Sequence, residues 1–470
     1  MKVLLVAPHR LPGLKESRGS LPVSLLHLAG ALRQAGHTPI IFDLSIMSVP
    51  DGFDAEAMYL AAVQDKVREA NPGLVGINCF SMMHFPVVRR IAQELHSTWP
   101  ALPICTGGAH PTFYMRDILE NCPEFTFVVA GEGEEQIVAL ADCLEKPEHA
   151  RLSEIQSFAF RDPVLGTVIN PRRDFVKDLD TLPRPAYDLV DLTKYYGDHS
   201  KWHNPRNHQI ALSMPIQTSR SCPLDCNFCS ASTIMGRGLR LRNPKAVVAE
   251  IEMLARDRGQ NYFSFIDDNV NANKKHFLAL CEGITALKLD IQLCIAQGMY
   301  LNAVDEEIVR AFVKAGGITV SVPIEAANDH IRNKIVGKHL KDETIVKTAK
   351  LFKQYDLFTV GLYIMGFLED TTASLNEIES LIHKLELDVN AVNTLVPFVG
   401  TKAFALAKRD NALLFDDREM WKGETFFDPQ NKSRFWIKPY AMDLLELRRF
   451  RDLFDGLYFT SDRAKALNLS

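Results

Sequence analysis

No apolar run in this 470-residue chain approaches the roughly 20 residues a helix needs to cross a bilayer, so no membrane span is expected. Neither sign of charge is in excess. Lys and Arg total 53 against 58 Asp and Glu, a net charge of −5, and that balance lacks the basic footprint of a nucleic-acid binder. Internal repeats and low-complexity tracts are missing, which removes solenoids and disordered spacers from consideration. The opening Met1-Lys2-Val3-Leu4-Leu5-Val6-Ala7 is too short for a signal peptide. Pro8-His9-Arg10 interrupts it, and it reads as a strand. Cysteine is sparse and odd in number, nine in all with six scattered. This excludes a disulfide framework and points to a reducing, cytoplasmic compartment.

The other three cysteines are what the chain does have. Ser221-Cys222-Pro223-Leu224-Asp225-Cys226-Asn227-Phe228-Cys229-Ser230 spaces them as C-x3-C-x2-C, with no fourth cysteine close by. Thiolates are the usual ligands of iron–sulfur clusters, and three on a short loop hold three irons of a [4Fe–4S] cluster. The fourth iron is then open to a substrate. A zinc loop is the bland alternative, but structural zinc is closed by four protein ligands, and the fourth is missing.

Length suggests two or three domains. Over residues 1–145 apolar runs alternate with helical patterns. Lys2–Ala7, 39–44, 74–80, 102–106 and 125–129 read as buried strands, with helices at 22–34, 55–69, 85–97 and 134–144 between them. That alternation predicts an α/β doubly wound parallel sheet with ligands at the carboxyl ends of its strands. Ser81, Thr106-Gly107-Gly108-Ala109-His110 and Gly131-Glu132-Gly133-Glu134 fall at those ends, and glycines there would let backbone approach a ligand. Residues 146–208, with Pro183, Pro185, Trp202, His203, Asn204 and Pro205, read as a structured linker.

Six further strand–helix units over 209–405 predict a partial (β/α)6 barrel, whose chemistry belongs at the strands' carboxyl ends. The cysteine loop follows the first of these strands. The second strand ends in Asp267-Asp268-Asn269, either ligands for a polar group or a turn with Asn269 or Asn271 capping the next helix. Glu325 tops the fourth strand, where a carboxylate needs a partner: a barrel arginine or a bound cofactor. Gly366 follows the fifth and suits either close approach to a flat ligand or an ordinary turn. The extension 406–470 is irregular and aromatic, with Trp421, Phe426, Phe427, Phe435, Trp436 and Tyr440, and reads as packing against the barrel or as a substrate-facing cap. The scattered cysteines read as core. Cys79, His84 and His110 lie near the ligand end of the first domain.

The cysteine loop resembles that of radical S-adenosylmethionine (SAM) enzymes. Together with 21–34, 75–81, 106–112 and 129–134, it makes residues 1–405 resemble a cobalamin (B12)-dependent radical SAM enzyme, with a Rossmann-like B12-binding domain ahead of the barrel. The resemblance implies a [4Fe–4S] cluster on Cys222, Cys226 and Cys229. It implies SAM contacts from Phe228, Asp267, Asp268, Asn269, Glu325 and Gly366, and cobalamin contacts from Ser81, Gly107, Gly108, His110, Glu132 and Gly133. It further implies a 5′-deoxyadenosyl radical, methyl transfer to an unactivated carbon or phosphorus of a small metabolite, and an electron donor such as flavodoxin or ferredoxin. Cyclisation or rearrangement without net methylation is the nearest rival. A B12-dependent sensor lacks a DNA-binding segment here, and an RNA methylthiotransferase lacks its extra cysteines. Two departures stand out: Asp43 opens no D-x-H-x-x-G motif for a cobalt-ligating histidine, and Ala326 stands where relatives often carry Ser after the fourth-strand Glu.

Overall fold

The computed structural model describes residues 1–9, 20–50, 52–146, 151–197, 211–424 and 434–469. Trp202, His203, Asn204, Pro205, Phe426 and Phe427 lie outside the described residues. The chain forms two units. One is Met1–Tyr196 with a return segment that begins at Asp416; the other is Gly197–Phe415 with the carboxyl-terminal residues.

The first unit is built on strands β1 (Lys2–Ala7), β2 (Thr38–Asp43), β3 (Leu74–Asn78), β4 (Ile104–Gly107), β5 (Phe127–Val129), β6 (Phe158–Asp162) and β7 (Gly166–Asn170). Their order is β2-β1-β3-β4-β5-β6-β7, and β1 to β5 pair parallel. The chain leaves β1 for β2 on one side and β3 on the other. That reversal is the switch point at which such sheets bind ligands. Leu25 and Leu32 of the helix Val23–Gln34 pack with Ile137 and Leu140 of Glu134–Glu145 over Val3 and Leu5 in one buried cluster. Each such side chain contributes about 1.5–3 kcal/mol.

The stretch 146–208, read as a linker, carries the antiparallel hairpin β6–β7, which adds two strands beside β5. Asp162 makes its turn by accepting the amides of Val164 and Leu165 at 2.8 and 2.9 Å. The glycine-rich strand ends also differ from expectation in their purpose. Gly108 has φ +120°, and a Cβ there would lie 2.4 Å from the Cys79 carbonyl oxygen; a Cβ on Gly133 would meet Leu28 at 3.2 Å. Gly108 thus lets two strand ends lie close together, and Gly133 lets the helix that carries Leu28 pack against its turn.

The second unit carries β8 (Met214–Ile216), the short antiparallel pair β9 (Ser219–Arg220) and β10 (Arg240–Leu241), then β11 (Tyr262–Phe265), β12 (Gln292–Ile295), β13 (Gly317–Glu325), β14 (Phe358–Met365) and β15 (Val389–Thr394). β8 and β11–β15 form a parallel sheet in sequential order, with β8 and β15 at its edges. Helices follow β11 to β14, the arrangement of a partial (β/α) barrel. Asp305, Asn273 and the Thr371/Ser374 box cap three of them, each cap contributing about 1 kcal/mol. The helix Leu444–Gly456 opens on a second box, Asp443 with Glu446.

Candidate active site

The cysteine loop is bracketed by β9 and β10. Ser221, in the left-handed region at φ +79°, closes it by donating to the carbonyls of Met235 and Gly236 at 3.1 and 2.7 Å. A non-glycine residue there costs on the order of 1 kcal/mol, offset by these two bonds. The single π-helical turn Ile331–Ile335 ends so that the Val336 carbonyl accepts the Asn227 amide at 3.0 Å. Cys226 and Cys222 are partly buried and Cys229 is exposed. Burial pushes the Cys226 thiol up to about 12, while the Lys338 ammonium pulls the other way.

Three strand ends come to this loop. From β11, the Asn269 amide nitrogen lies 3.7 Å from the Cys222 sulfur, and its buried Oδ1 has no protein partner. Neither Asn269 nor Asn271 caps the next helix: Asn273 does so, and Asn271 joins Tyr300 through both its amide atoms. Asp267 differs from expectation. Its carboxylate accepts from the Thr218 amide, the Thr218 hydroxyl and the Ser219 hydroxyl at 2.6–3.2 Å. Burial lifts its pKa to about 6 against those donors. With its oxygens so engaged, Asp267 ties β11 to the turn before β9, and the exposed Asp268 beside it is the freer carboxylate.

From β13, Glu325 stands at φ +68° and accepts from Lys338 Nζ at 2.8 Å, both side chains about nine-tenths buried. The partner is thus a lysine the sequence reading missed, and not an arginine. Burial pulls the Lys338 pKa down, but the charges of Glu325, Cys226 and Cys222 outweigh it and hold the ammonium above its ordinary value. Arg332, fully buried, clamps the loop after Glu325 by donating to the carbonyls of Ala326, Ala327 and Leu340. From β14, Gly366 has φ +93°, and a Cβ there would meet nothing nearer than Leu395 N at 3.9 Å, so the space before it is open. Asp370 accepts the Gly366 and Phe367 amides at 2.7 and 2.9 Å, and Phe367 meets Phe228 edge-on at 6.3 Å.

In the first unit, Ser81 Oγ and His84 Nδ1 are 2.8 Å apart after β3, and Gly107 ends β4. Two expected contacts have internal partners instead. Glu132 accepts the Val176 amide at 3.0 Å. His110 is buried between Phe85 and Tyr114, and its Nε2–H donates to the Trp421 carbonyl at 2.8 Å. Asp43 is likewise occupied, accepting from Tyr195 and the Ser45 amide. No local pattern in the sequence signals the return of Trp421 to this unit.

Because His110 Nδ1 has no acceptor, protonating it would bury an unpaired donor. Burial accordingly lowers its pKa from 6.5 to about 4, against the raising effect of the Trp421 bond. The unfolded chain therefore binds the extra proton between those values, so stability is full above pH 6.5 and falls as pH drops toward 4. Relative to His110→Gln, the protein is expected to lose about 2 kcal/mol between pH 7 and pH 5. Urea denaturation at the two pH values checks this.

Residues 20–141 match the model of the B12 binding domain and residues 216–382 that of the radical SAM superfamily. The chain is 27% identical over 450 residues to the uncharacterized methyltransferase PH0819 of Pyrococcus horikoshii, covering 95% of this chain and 91% of that protein. It is 28% identical over 455 residues to the anaerobic magnesium-protoporphyrin IX monomethyl ester cyclase of Rubrivivax gelatinosus, covering 95% and 75%. Its fold is similar to that of the radical SAM methyltransferase TsrM of Kitasatospora setae, solved with cobalamin and a [4Fe–4S] cluster bound. The TM-score is 0.72 at 17% identity, over 99% of this chain and 88% of that one. The barrel with its three-cysteine loop is thus that of a radical SAM enzyme. With the B12 binding domain ahead of it, the chain belongs to the cobalamin-dependent radical SAM enzymes, whose cofactors are the cluster, SAM and cobalamin.

The residues present fit the first two groups. Among the described residues, no three His, Cys, Asp or Glu side chains converge closely enough for a single metal ion, yet the three thiols interact electrostatically around Cys226. A cluster takes one thiolate per iron, whereas zinc needs its ligands around one point. The orphaned Asn269 oxygen and the open space before Gly366 suit a polar, partly flat ligand beside it.

Proposed function

We propose that this chain is a methyltransferase acting on an unactivated carbon, or a phosphorus, of a small metabolite. The observation that carries this is the three-thiol loop with no fourth cysteine close by in the sequence, on a chain that also has a B12 binding domain. The full-length similarity to a protein named a methyltransferase supports it. In this reading Cys222, Cys226 and Cys229 hold the cluster, and Asn269, Asp268, Glu325, Gly366 and Phe228 receive SAM. Ser81, Gly107, Gly108 and Gly133 line the corrinoid end of the first unit, while His110 and Glu132 support that end from within. The sequence divides as 1–145, 146–208, 209–405 and 406–470 in this scheme, but the β6–β7 hairpin within 146–208 and the segment that begins at Asp416 belong with the corrinoid fold.

Bound at these residues, the cluster would supply the electron for reductive cleavage of SAM, and cobalamin in the first unit would carry the methyl group. The chain's own part is to bind and orient. Lys338 fixes the Glu325 carboxylate and keeps a positive charge beside the thiolates. Asp370 holds the Gly366 amide in place, and Asn269 donates toward the Cys222 sulfur. A flavodoxin or ferredoxin in a reducing cytoplasm would supply electrons.

Cyclisation without net methylation is the second reading, favoured by the similarity to the cyclase of Rubrivivax gelatinosus. Product mass separates the two. With anoxic reconstituted enzyme and SAM carrying a trideuterated methyl group, the product is expected to gain one labelled methyl. A product formed without the label removes the methyl-transfer reading.

A further inference from the structure

The second unit contains a cavity of about 620 Å³, a size suited to a small organic ligand. Its floor is one face of the sheet. Thr319 and Ser321 on β13, Val360 and Leu362 on β14, and Ala391 and Asn393 on β15 line it, each pair two residues apart and so on the same face. Barrel interiors are normally filled by branched apolar side chains, and Val320 and Val322 supply those to the opposite face, fully buried. On the cavity face two hydroxyls and an amide stand among Val360, Leu362 and Ala391, with empty space before them.

Two polar groups in this cavity have no partner. Thr319 Oγ1 is buried and unbonded, and so is Nε of Arg451, whose side chain is only 10% exposed. Arg451 comes from the helix Leu444–Gly456; its Nη1 donates to the Val392 carbonyl and its Nη2 to Asp455. Leaving a guanidinium N–H buried and unpaired is costly, and a ligand acceptor in the cavity relieves it. Register fixes its height: Val392 pairs with Tyr363, and Tyr363 with Glu325. Arg451 therefore bonds the sheet at the level of Glu325, two strands away, roughly 10 Å at the usual strand spacing. The cavity's hydroxyls, Thr319 and Ser321, lie six and four residues before Glu325 on β13, and Asp455, the partner of Arg451, also lines the cavity.

We propose that this cavity is the substrate pocket and that Arg451 receives a carboxylate, so that the methyl acceptor is a carboxylate-bearing metabolite and not an uncharged lipid. This inference rests on the methyl-transfer reading for the fate of the ligand, but its test does not. The full reconstituted chain is titrated calorimetrically with 2-naphthoate and with its neutral amide, 2-naphthamide. The acid is expected to bind about tenfold tighter, as one charge-assisted hydrogen bond allows. Arg451→Met should reduce that ratio to near one, and Ser321→Phe, which fills the cavity, should weaken both probes.

Equal affinities in the wild type, failure of both probes to bind, or an unchanged ratio in Arg451→Met would overturn the proposal. If Arg451→Met does not fold, Ser321→Phe decides: unchanged naphthoate binding sinks the assignment, and loss of binding upholds it. Neither probe is methylated, so a failed label-transfer assay with the acid preference intact removes the chemistry and leaves the pocket.

Discussion

Cys226→Ala is expected to abolish formation of 5′-deoxyadenosine from SAM under reducing, anoxic conditions, down to the background of the protein-free mixture. Cys226 is the middle thiol of the loop and lies next to the Glu325–Lys338 pair. With two thiolates left, the loop cannot hold three irons of a cubane, so iron per chain should fall along with activity. The loop itself should survive, because Ser221, Asn227 and the β9–β10 bracket hold it without the thiol. Retained folding and corrinoid uptake with lost SAM cleavage is therefore the expected pattern, read by product chromatography and iron analysis. Normal cleavage rates in this variant would refute the cluster assignment.

Lys338→Met should be strongly destabilising. It leaves the Glu325 carboxylate buried without its cation, and breaking one side of a buried pair costs about 3–5 kcal/mol. Replacing both residues, Glu325→Leu with Lys338→Met, should recover most of that loss, since two apolar side chains leave no orphaned charge. Urea denaturation of the three variants measures it. A single variant as stable as the wild type would mean that the 2.8 Å contact carries no energy.

How much of this was legible beforehand follows from the range of each signal. β1 is a run of apolar residues that periodicity alone delimits, and its observed bounds are those the sequence suggested. The cysteine loop was equally plain as a pattern, because Cys222, Cys226 and Cys229 lie within eight residues. The β6–β7 hairpin was missed because the prolines and polar residues of 146–208 read as a linker, although Asp162 and Gly166 flank a tight turn between two strands. Asp267 was visible as a carboxylate at a strand end. Whether it faced a ligand or Thr218 and Ser219 at the start of β9 depends on tertiary packing, which no spacing encodes. Lys338 follows Glu325 by 13 residues and a π-turn, a separation with no helical or strand period. Trp421 meets His110 across 311 residues, and contacts of that range leave no local mark. Arg451 lies on the helix Leu444–Gly456, in an extension that read as irregular, and its unpaired Nε emerges only once the facing strand is in place.

The most direct test of the central claim, a cluster with one iron left open by the protein, is Mössbauer spectroscopy of anoxically reconstituted chain enriched in 57Fe. One [4Fe–4S] cluster per chain is expected, and addition of SAM should shift the spectrum of a single iron away from the other three. Zinc in the loop, or a cluster spectrum that SAM leaves unchanged, would contradict it.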